Sequence, residues 1–497
     1  MESPQRDHWK RAMEEESTSI LLNNTFSPLN SQEAWQLQVK PIGSKWVYKT
    51  KYNLDGSTRY KAGLVITGYE QTDFGETYAP VGKLTTFWYV ISLIGRYRWN
   101  MDHLDVVTTF LNPKIDHDDI YMTVPERWPE GLNVPKIVVR LRKSLYGLKQ
   151  APQLRHDNIN SSLLSLELTQ SLADPNLYLY SDGILILLYV DDISMSYPAA
   201  AGKAAIEVKA KLSEKYKITN LGTARHFLGI KIHGNGTGVS LRQKSYIITI
   251  LRRFGMEHTH DVSTRMDPNV KLDLPEDRRE KQLEDITDYQ AVVGSLMYTA
   301  LATRPDISYA VAPLSRYNSR PFTSHITAAK RVLHYLKSTA DVRLHFNGNR
   351  IGIGISISIS IGISIGIGIG IGIDIGNSLV GYLDSNWAND SVDRKSQRGH
   401  VFLASNGAIS WQCRKESLIT MTTLEAECIA CSEASREAKW LLQLQKGIHS
   451  SQKTHHCCQS TATIRVLSLL SPRDSSKFEL NTSTFAITTV EICIDDK

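Results

Sequence analysis

Ile184-Leu185-Ile186-Leu187-Leu188-Tyr189-Val190-Asp191-Asp192-Ile193 decides the reading of this 497-residue chain. An apolar run that ends in two adjacent acids and then resumes predicts a strand–turn–strand hairpin with both carboxylates at its tip. Paired divalent cations in phosphoryl transfer need carboxylates held in that rigid way, so a third acid is expected upstream. Asp105 supplies it, in His103-Leu104-Asp105-Val106-Val107-Thr108-Thr109-Phe110-Leu111, where the acid ends a strand-like stretch and an aromatic follows within reach of the same pocket. Asp-Asp pairs otherwise close turns or cap helices. The surrounding blocks therefore decide between the two readings.

Lys45-Trp46-Val47, Asp55-Gly56, Arg59-Tyr60-Lys61-Ala62 and Tyr78-Ala79-Pro80-Val81 precede Asp105, and Phe110-Leu111-Asn112 with Ile120-Tyr121-Met122 follow it. Lys143-Ser144-Leu145-Tyr146-Gly147-Leu148-Lys149-Gln150-Ala151-Pro152 lies between the acidic segments, and Phe227-Leu228-Gly229-Ile230 comes after them. Further on stand Thr303-Arg304-Pro305-Asp306-Ile307, Leu314-Ser315-Arg316 and Arg331-Val332-Leu333-His334-Tyr335-Leu336-Lys337. In this order the blocks, from about Trp9 to about Leu444, resemble the reverse transcriptase and ribonuclease H region of copia-type LTR retrotransposon Pol polyproteins.

The resemblance implies an α+β fold, a right-hand polymerase of fingers, palm and thumb followed by a ribonuclease H-like α/β domain that is truncated or frameshifted at its C-terminus. Residues 1–100 would form fingers and early palm, 101–265 the palm and a thumb-like region, 266–284 a polar linker and 285–345 a helical connection. Residues 346–377 would be a low-complexity linker, 378–450 a partial nuclease domain and 451–497 an out-of-frame tail. The capsid, protease and integrase regions of a full element have no counterpart here, so a polyprotein fragment or a shortened gene product is expected.

Roles follow from the same resemblance. Asp105, Asp191 and Asp192 would hold two Mg²⁺ ions, with Mn²⁺ as a substitute, one acidifying the primer 3′-hydroxyl and the other binding the triphosphate. Phe110 would pack under the incoming sugar and reject a ribose 2′-hydroxyl, a role compatible with an ordinary core Phe. Gln150 would touch the incoming nucleotide and Lys61 would reach its phosphates. Phe227, Leu228 and Gly229 would grip the primer end, although they also read as a buried strand. The implied partners are an RNA template, a DNA primer or RNA–DNA hybrid, and deoxynucleoside triphosphates, with no membrane and with oligomeric state left open.

A net charge of +6 and a pI near 8.8 suit a nucleic-acid groove without specifying one. Met1 to Glu15 is charged rather than apolar, so no secretion signal is expected, and a cytoplasmic setting (a virus-like particle for an intact element) or a nuclear one follows. All six cysteines lie after residue 412, unlike a secreted disulfide framework. His455-His456-Cys457-Cys458 sets four possible ligands side by side, too close to converge easily on one tetrahedral zinc ion.

Ile351 to Ile375 alternates Ile with Gly or Ser almost throughout. Dense Gly and Ser argue against a membrane span, and period two predicts a strand or no order. A translated expansion of a short DNA repeat accounts for it, and alternating Ile would make it aggregation-prone if ordered. Beyond it, Leu379-Val380-Gly381-Tyr382-Leu383-Asp384, Gly399-His400-Val401-Phe402-Leu403, Ala408-Ile409-Ser410-Trp411 and a helix from Thr423 to Leu444 resemble the nuclease domain. Asp384 and Glu427 would be the first two of its four metal-binding acids, with Glu425 the neighbouring alternative or a charge favouring the helix N-terminus.

From about Ser451 the resemblance stops, yet the residues admit codons that restore it. Gln459 to Val466 can be encoded so that a two-base offset reads Ile-Asn-Cys-Asp-Asn-Gln-Gly, and Asn481 to Ile487 so that it reads His-Ile-Asp-Val-Cys-Tyr, like the third and fourth acidic motifs. A frameshift between about Lys446 and Thr454 is expected, with nuclease activity lost. Other departures touch the polymerase half: Gly63 stands where the family has Arg, Gln153 and Arg155 where it has Arg and Trp, Trp88 where Arg is common, and Asn386 where the nuclease has a second Asp. Three classes of function fit: an RNA-directed DNA polymerase with a disabled nuclease, a catalytically dead remnant that binds nucleic acid weakly, or an unstable pseudogene product.

Overall fold

A computed structural model describes residues 5–29, 40–52, 58–72, 74–106, 113–115, 120–125, 128–129, 138–267, 270, 272, 280–347, 371–374, 379–390, 392–451, 464–468 and 488–492. Helix α1 (Arg6–Leu22) presents Ala12, Met13, Ser17 and Ile20 to the interior. It packs on a two-stranded ribbon, β2 (Ser44–Tyr52) and β3 (Thr58–Ile66), where Trp9 sets its ring edge-on to Tyr48 and Tyr60, with centroids 5.2 and 4.7 Å apart. Alternation along β3 buries Ala62, Leu64 and Ile66 and leaves Lys61 outside. Strand β1 (Phe26–Pro28) pairs with β6 (Val138–Leu141), which pairs with β5 (Tyr121–Thr123).

The central sheet is antiparallel, in the order β11-β4-β10-β9-β8-β7. Its strands are β4 (Asn100–Val106), β7 (Thr169–Gln170), β8 (Leu177–Tyr180), β9 (Ile184–Tyr189), β10 (Asp192–Tyr197) and β11 (Ile218–Thr223). Strand β9 is apolar at every position because both sheet faces are covered. Ile184, Ile186 and Leu188 join Ile159 and Leu163 of α3 (Ala151–Ser165) and Val208 and Leu212 of α4 (Gly202–Lys215). Leu185 and Leu187 point the other way, to Phe87, Val90 and Ile94 of α2 (Leu84–Tyr97), which is why that helix is buried nearly all round.

Strands β12 (His226–Phe227), β13 (Ile230–Asn235), β14 (Gly238–Arg242) and β15 (Leu344–Asn347) form a second sheet. Between β14 and β15 the chain builds a helical layer, α5 (Lys244–Arg253), α6 (Thr287–Ala302), α7 (Ser308–Ser315) and α8 (Thr323–Ser338), with its own core. The Thr303-to-Ile307 block is its internal clamp. Buried Arg304 donates from Nε and Nη2 to the two oxygens of Asp306, each at 2.8 Å, and from Nη1 to the Thr339 carbonyl at 2.9 Å. Burial pushes the Asp306 carboxyl up, but the Arg304 bonds outweigh it and hold the carboxyl below its usual value.

A third sheet runs β19-β18-β17-β16-β20-β21, from β16 (Ile371–Asp374), β17 (Leu379–Asn386), β18 (Gln397–Ala404), β19 (Gly407–Lys415), β20 (Ile464–Ser468) and β21 (Thr488–Ile492), with α9 (Thr423–Ser451) against β17. The segments expected as linker and tail thus contribute strands. A strand of alternating Ile and Gly accepts a partner in almost any register, because nothing on its faces distinguishes one register from the next. This layer shares one apolar core with α2 and the central sheet. Trp88, which stands where Arg is common in the resembled family, is buried there and lies nearly parallel to Trp411 at 6.4 Å. Trp411 Nε1 donates to the Ala300 carbonyl and Trp440 Nε1 to the Ala173 carbonyl, at 2.9 and 2.8 Å.

Candidate nucleotidyl-transfer site

The hairpin of β9 and β10 closes on a two-residue turn, Val190 and Asp191, since Tyr189 pairs with Asp192. Val190 adopts φ 51, a left-handed conformation costly for a β-branched residue and one that tends to persist where function requires it. On the other side, β10 pairs with β4 so that Asp192 lies directly opposite Asp105 and Ser194 opposite His103. Residues directly opposite share a face, so two strands bring Asp105, Asp192 and His103 together. Two carboxylates placed this way repel. His103 Nε2 answers one of them, 2.8 Å from Asp192 Oδ1.

Asp191, at the tip, faces Arg155 of α3, with Nε 3.7 Å from Oδ1. Burial pulls the Arg155 guanidinium down from its usual value, the Asp191 charge opposes this, and a guanidinium so shifted still carries its charge at neutral pH. Tyr146 is pushed up by burial first and then by the charge of Asp191. Among the described residues, no three acidic, histidine or cysteine side chains stand close enough to hold one metal ion together as they are placed. The donor set is nevertheless right in kind for Mg²⁺, being carboxylate oxygen.

The Lys143-to-Pro152 block ties this centre to the ribbon. Gly147 has φ +99, and a Cβ there would lie 2.1 Å from the Ile66 carbonyl oxygen, so only glycine permits the approach in which Ile66 N donates to the Tyr146 carbonyl at 2.8 Å. Gln150, expected at the nucleotide, is buried at the start of α3, and its side-chain oxygen accepts from Gln71 Nε2 at 2.8 Å. Lys61 lies on the exposed ribbon face directly opposite Lys49, and Lys45 and Arg59 share that face. Like charges set opposite one another cost stability unless an anion lies across them. A Cβ on Gly63, on the same face, would meet nothing within 4 Å.

Phe227 and Ile230 pair across a second two-residue turn, in which Leu228 and Gly229 both have positive φ (51 and 75). Phe227 is buried, stacked on Phe87 at 4.8 Å and edge-on to His103 at 5.5 Å. The hairpin therefore supports the histidine that holds Asp192. Tyr298 Oη of α6 donates to the Leu228 carbonyl at 2.8 Å and steadies the tip. Phe110 falls outside the described residues, as does the His455-to-Cys458 cluster.

Farther along the chain, Asp384 on β17 and Glu427 on α9 are coupled. Burial raises Asp384 to about 6; burial and then the Asp384 charge raise Glu427 to about 7. The Ser385 amide donates to Glu427 Oε1 at 3.2 Å. Glu425 instead accepts from the Met421 amide at 2.7 Å, ahead of the helix. Buried Glu416, which the sequence reading missed, adds to the field on Glu427. Among the described residues no helix is long and apolar enough to cross a membrane.

Comparison with known proteins agrees with this architecture. The family model for reverse transcriptase (RNA-dependent DNA polymerase) matches residues 33–268. The retrovirus-related Pol polyprotein from transposon TNT 1-94 of Nicotiana tabacum is 33% identical over 475 residues, which is 92% of this chain and 33% of that protein. The polyprotein from transposon RE1 of Arabidopsis thaliana is 33% identical over 88% of this chain and 28% of its own length. This chain thus spans about a third of the length of these relatives. A transposon Ty5-1 protein of Saccharomyces cerevisiae is 30% identical over its whole length and 67% of this chain. The chain belongs to the reverse transcriptase family of copia-type retrotransposon Pol polyproteins.

Proposed function

We propose that the chain is an RNA-directed DNA polymerase whose nucleotidyl transfer depends on Asp105, Asp191 and Asp192. The carrying observation is the β4–β10 register, with Asp105 opposite Asp192 and Asp191 at the adjoining turn. These three carboxylates would hold two Mg²⁺ ions, which when bound acidify the primer 3′-hydroxyl and neutralise charge on the triphosphate. The remaining work is positioning. His103 orients Asp192, the cationic face around Lys61 draws in the triphosphate, and the Phe227-to-Gly229 hairpin supports the primer end. Gln150 would reach the nucleotide on release from Gln71, and Phe110 would exclude a ribose 2′-hydroxyl. The partners are an RNA template, a DNA primer and deoxynucleoside triphosphates, in the cytoplasm or nucleus.

Asp384 and Glu427 are read as the remnant of a ribonuclease H site without activity, and residues 451–497 as out-of-frame translation. Genomic codons test the frame: codons that fail to give the two acidic motifs on shifting would sink it. Asp384-dependent cleavage of the RNA strand of a hybrid would refute the loss of nuclease. A second reading, binding without turnover, is favoured by the Arg155 contact with Asp191. Primer extension by the full chain on a primed RNA template with Mg²⁺ separates the two. Extension that Asp105→Asn abolishes is expected; folded protein that extends nothing, or extension that survives the substitution, rejects the polymerase.

A further inference from the structure

We infer that Arg155 is an internal counter-ion of Asp191 that competes with the divalent cation for that carboxylate. The inference rests on the reading of Asp191 as a metal ligand and goes beyond it, to what sets the affinity. Arg155 lies one turn into α3, the helix packed under the hairpin, and its side chain is 7% exposed against 40% for Asp191. The cation is thus on the buried side of the carboxylate, where screening by water and salt is weakest. Its Nε stands 3.7 Å from Asp191 Oδ1, and Asp192 also acts on the same guanidinium. A guanidinium keeps its charge throughout the working pH range, so the competition can be relieved only by moving the side chain or replacing it.

Two consequences follow from charge alone. A divalent ion entering beside Asp191 meets a fixed positive charge and a carboxylate partly offset by it, so its affinity falls. Removing the charge while filling the space should restore affinity, by roughly tenfold or more for a unit charge at this separation in a partly buried site. The buried location is what gives one side chain this electrostatic weight.

The experiment is a Mn²⁺ titration of the full chain, with free ion read by electron paramagnetic resonance, so that the result does not depend on activity. Wild type, Arg155→Lys, Arg155→Gln, Arg155→Trp and Asp191→Asn are compared, each first checked for a cooperative melt. Gln and Trp bracket the arginine in volume, so one of them serves if the other does not fold. Weak binding in wild type and Arg155→Lys, binding about tenfold tighter or more in Arg155→Gln or Arg155→Trp, and loss in Asp191→Asn are expected. Equal affinity in wild type and the uncharged variants, still lost in Asp191→Asn, overturns the competition while leaving the metal assignment intact. Affinity indifferent to Asp191→Asn overturns both.

Discussion

At Gly63 the chain lacks a cation, and the surrounding space would accept one. Gly63→Arg adds a charge on the face of Lys61 at a position where a Cβ meets nothing within 4 Å, so the KM for deoxynucleotide should fall about three- to tenfold with kcat little changed, read by steady-state extension. Asp384 and Glu427 carry the opposite kind of signal. Their raised values mean that between about pH 4 and 7 the folded chain holds protons the unfolded chain has released, so stability contributed by this pair falls as pH rises through that window. Asp384→Asn should therefore stabilise the protein at pH 8 by roughly 1–2 kcal/mol, after allowing for solvent screening, and by almost nothing at pH 4. Identical pH profiles of the two melts would contradict this. The acids were legible from adjacency in sequence. His103 was legible only in part: its i, i+2 spacing to Asp105 put it on the same strand face, but its bond to Asp192 depends on a cross-strand register that no local pattern carries. Arg155 looked like simple loss until the α3 packing turned it toward Asp191.

Among the elements, the two hairpins at the site are both strained, and each can be tested. Val190→Gly relieves the left-handed residue of the acidic turn and should stabilise it by about 1 kcal/mol, while the loosened carboxylates should lower kcat. A gain in both would show that the strain has no role in holding Asp191. Tyr298→Phe removes the bond to the Leu228 carbonyl; a rise in the Kd for primed template with unchanged Mn²⁺ affinity is expected, whereas an equal loss in both would mark a general structural role. Element positions followed from periodicity where burial is one-sided. In α1 (Arg6–Leu22) the buried Ala12, Met13, Ser17 and Ile20 recur at helical spacing, as do Ala205, Val208 and Leu212 in α4 (Gly202–Lys215). The helix expected from Thr423 to Leu444 runs on to Ser451, because Ile448 continues its buried stripe. Strand pairing by the repeat was not legible, since a strict two-residue repeat looks the same after every two-residue slip and so names no partner or register.

Over the whole molecule, the polymerase half and the third sheet share one apolar core. Ser405 Oγ donates to the Ser92 carbonyl across 313 residues of chain, a separation at which sequence pattern carries no information. Trp88, which reads in sequence as a departure from a common Arg, is a packing residue for the same reason. Trp88→Ala should cost about 3–5 kcal/mol by chemical denaturation, and a cycle with Trp411→Ala should give a coupling of about 0.5–1.5 kcal/mol; additive losses would mean that the rings do not support each other. The fold sets Asp105 opposite Asp192 on neighbouring strands with Asp191 at the adjoining turn, and the proposal is that these three carboxylates act as a single chemical unit. Single-turnover incorporation of one deoxynucleotide on a primed RNA template tests it, using wild type, Asp105→Asn, Asp192→Asn and the double variant. The account predicts incorporation by wild type, a loss of roughly a thousandfold or more in each single variant, and no further loss in the double. Additive losses, or no incorporation by folded wild-type protein, would contradict it.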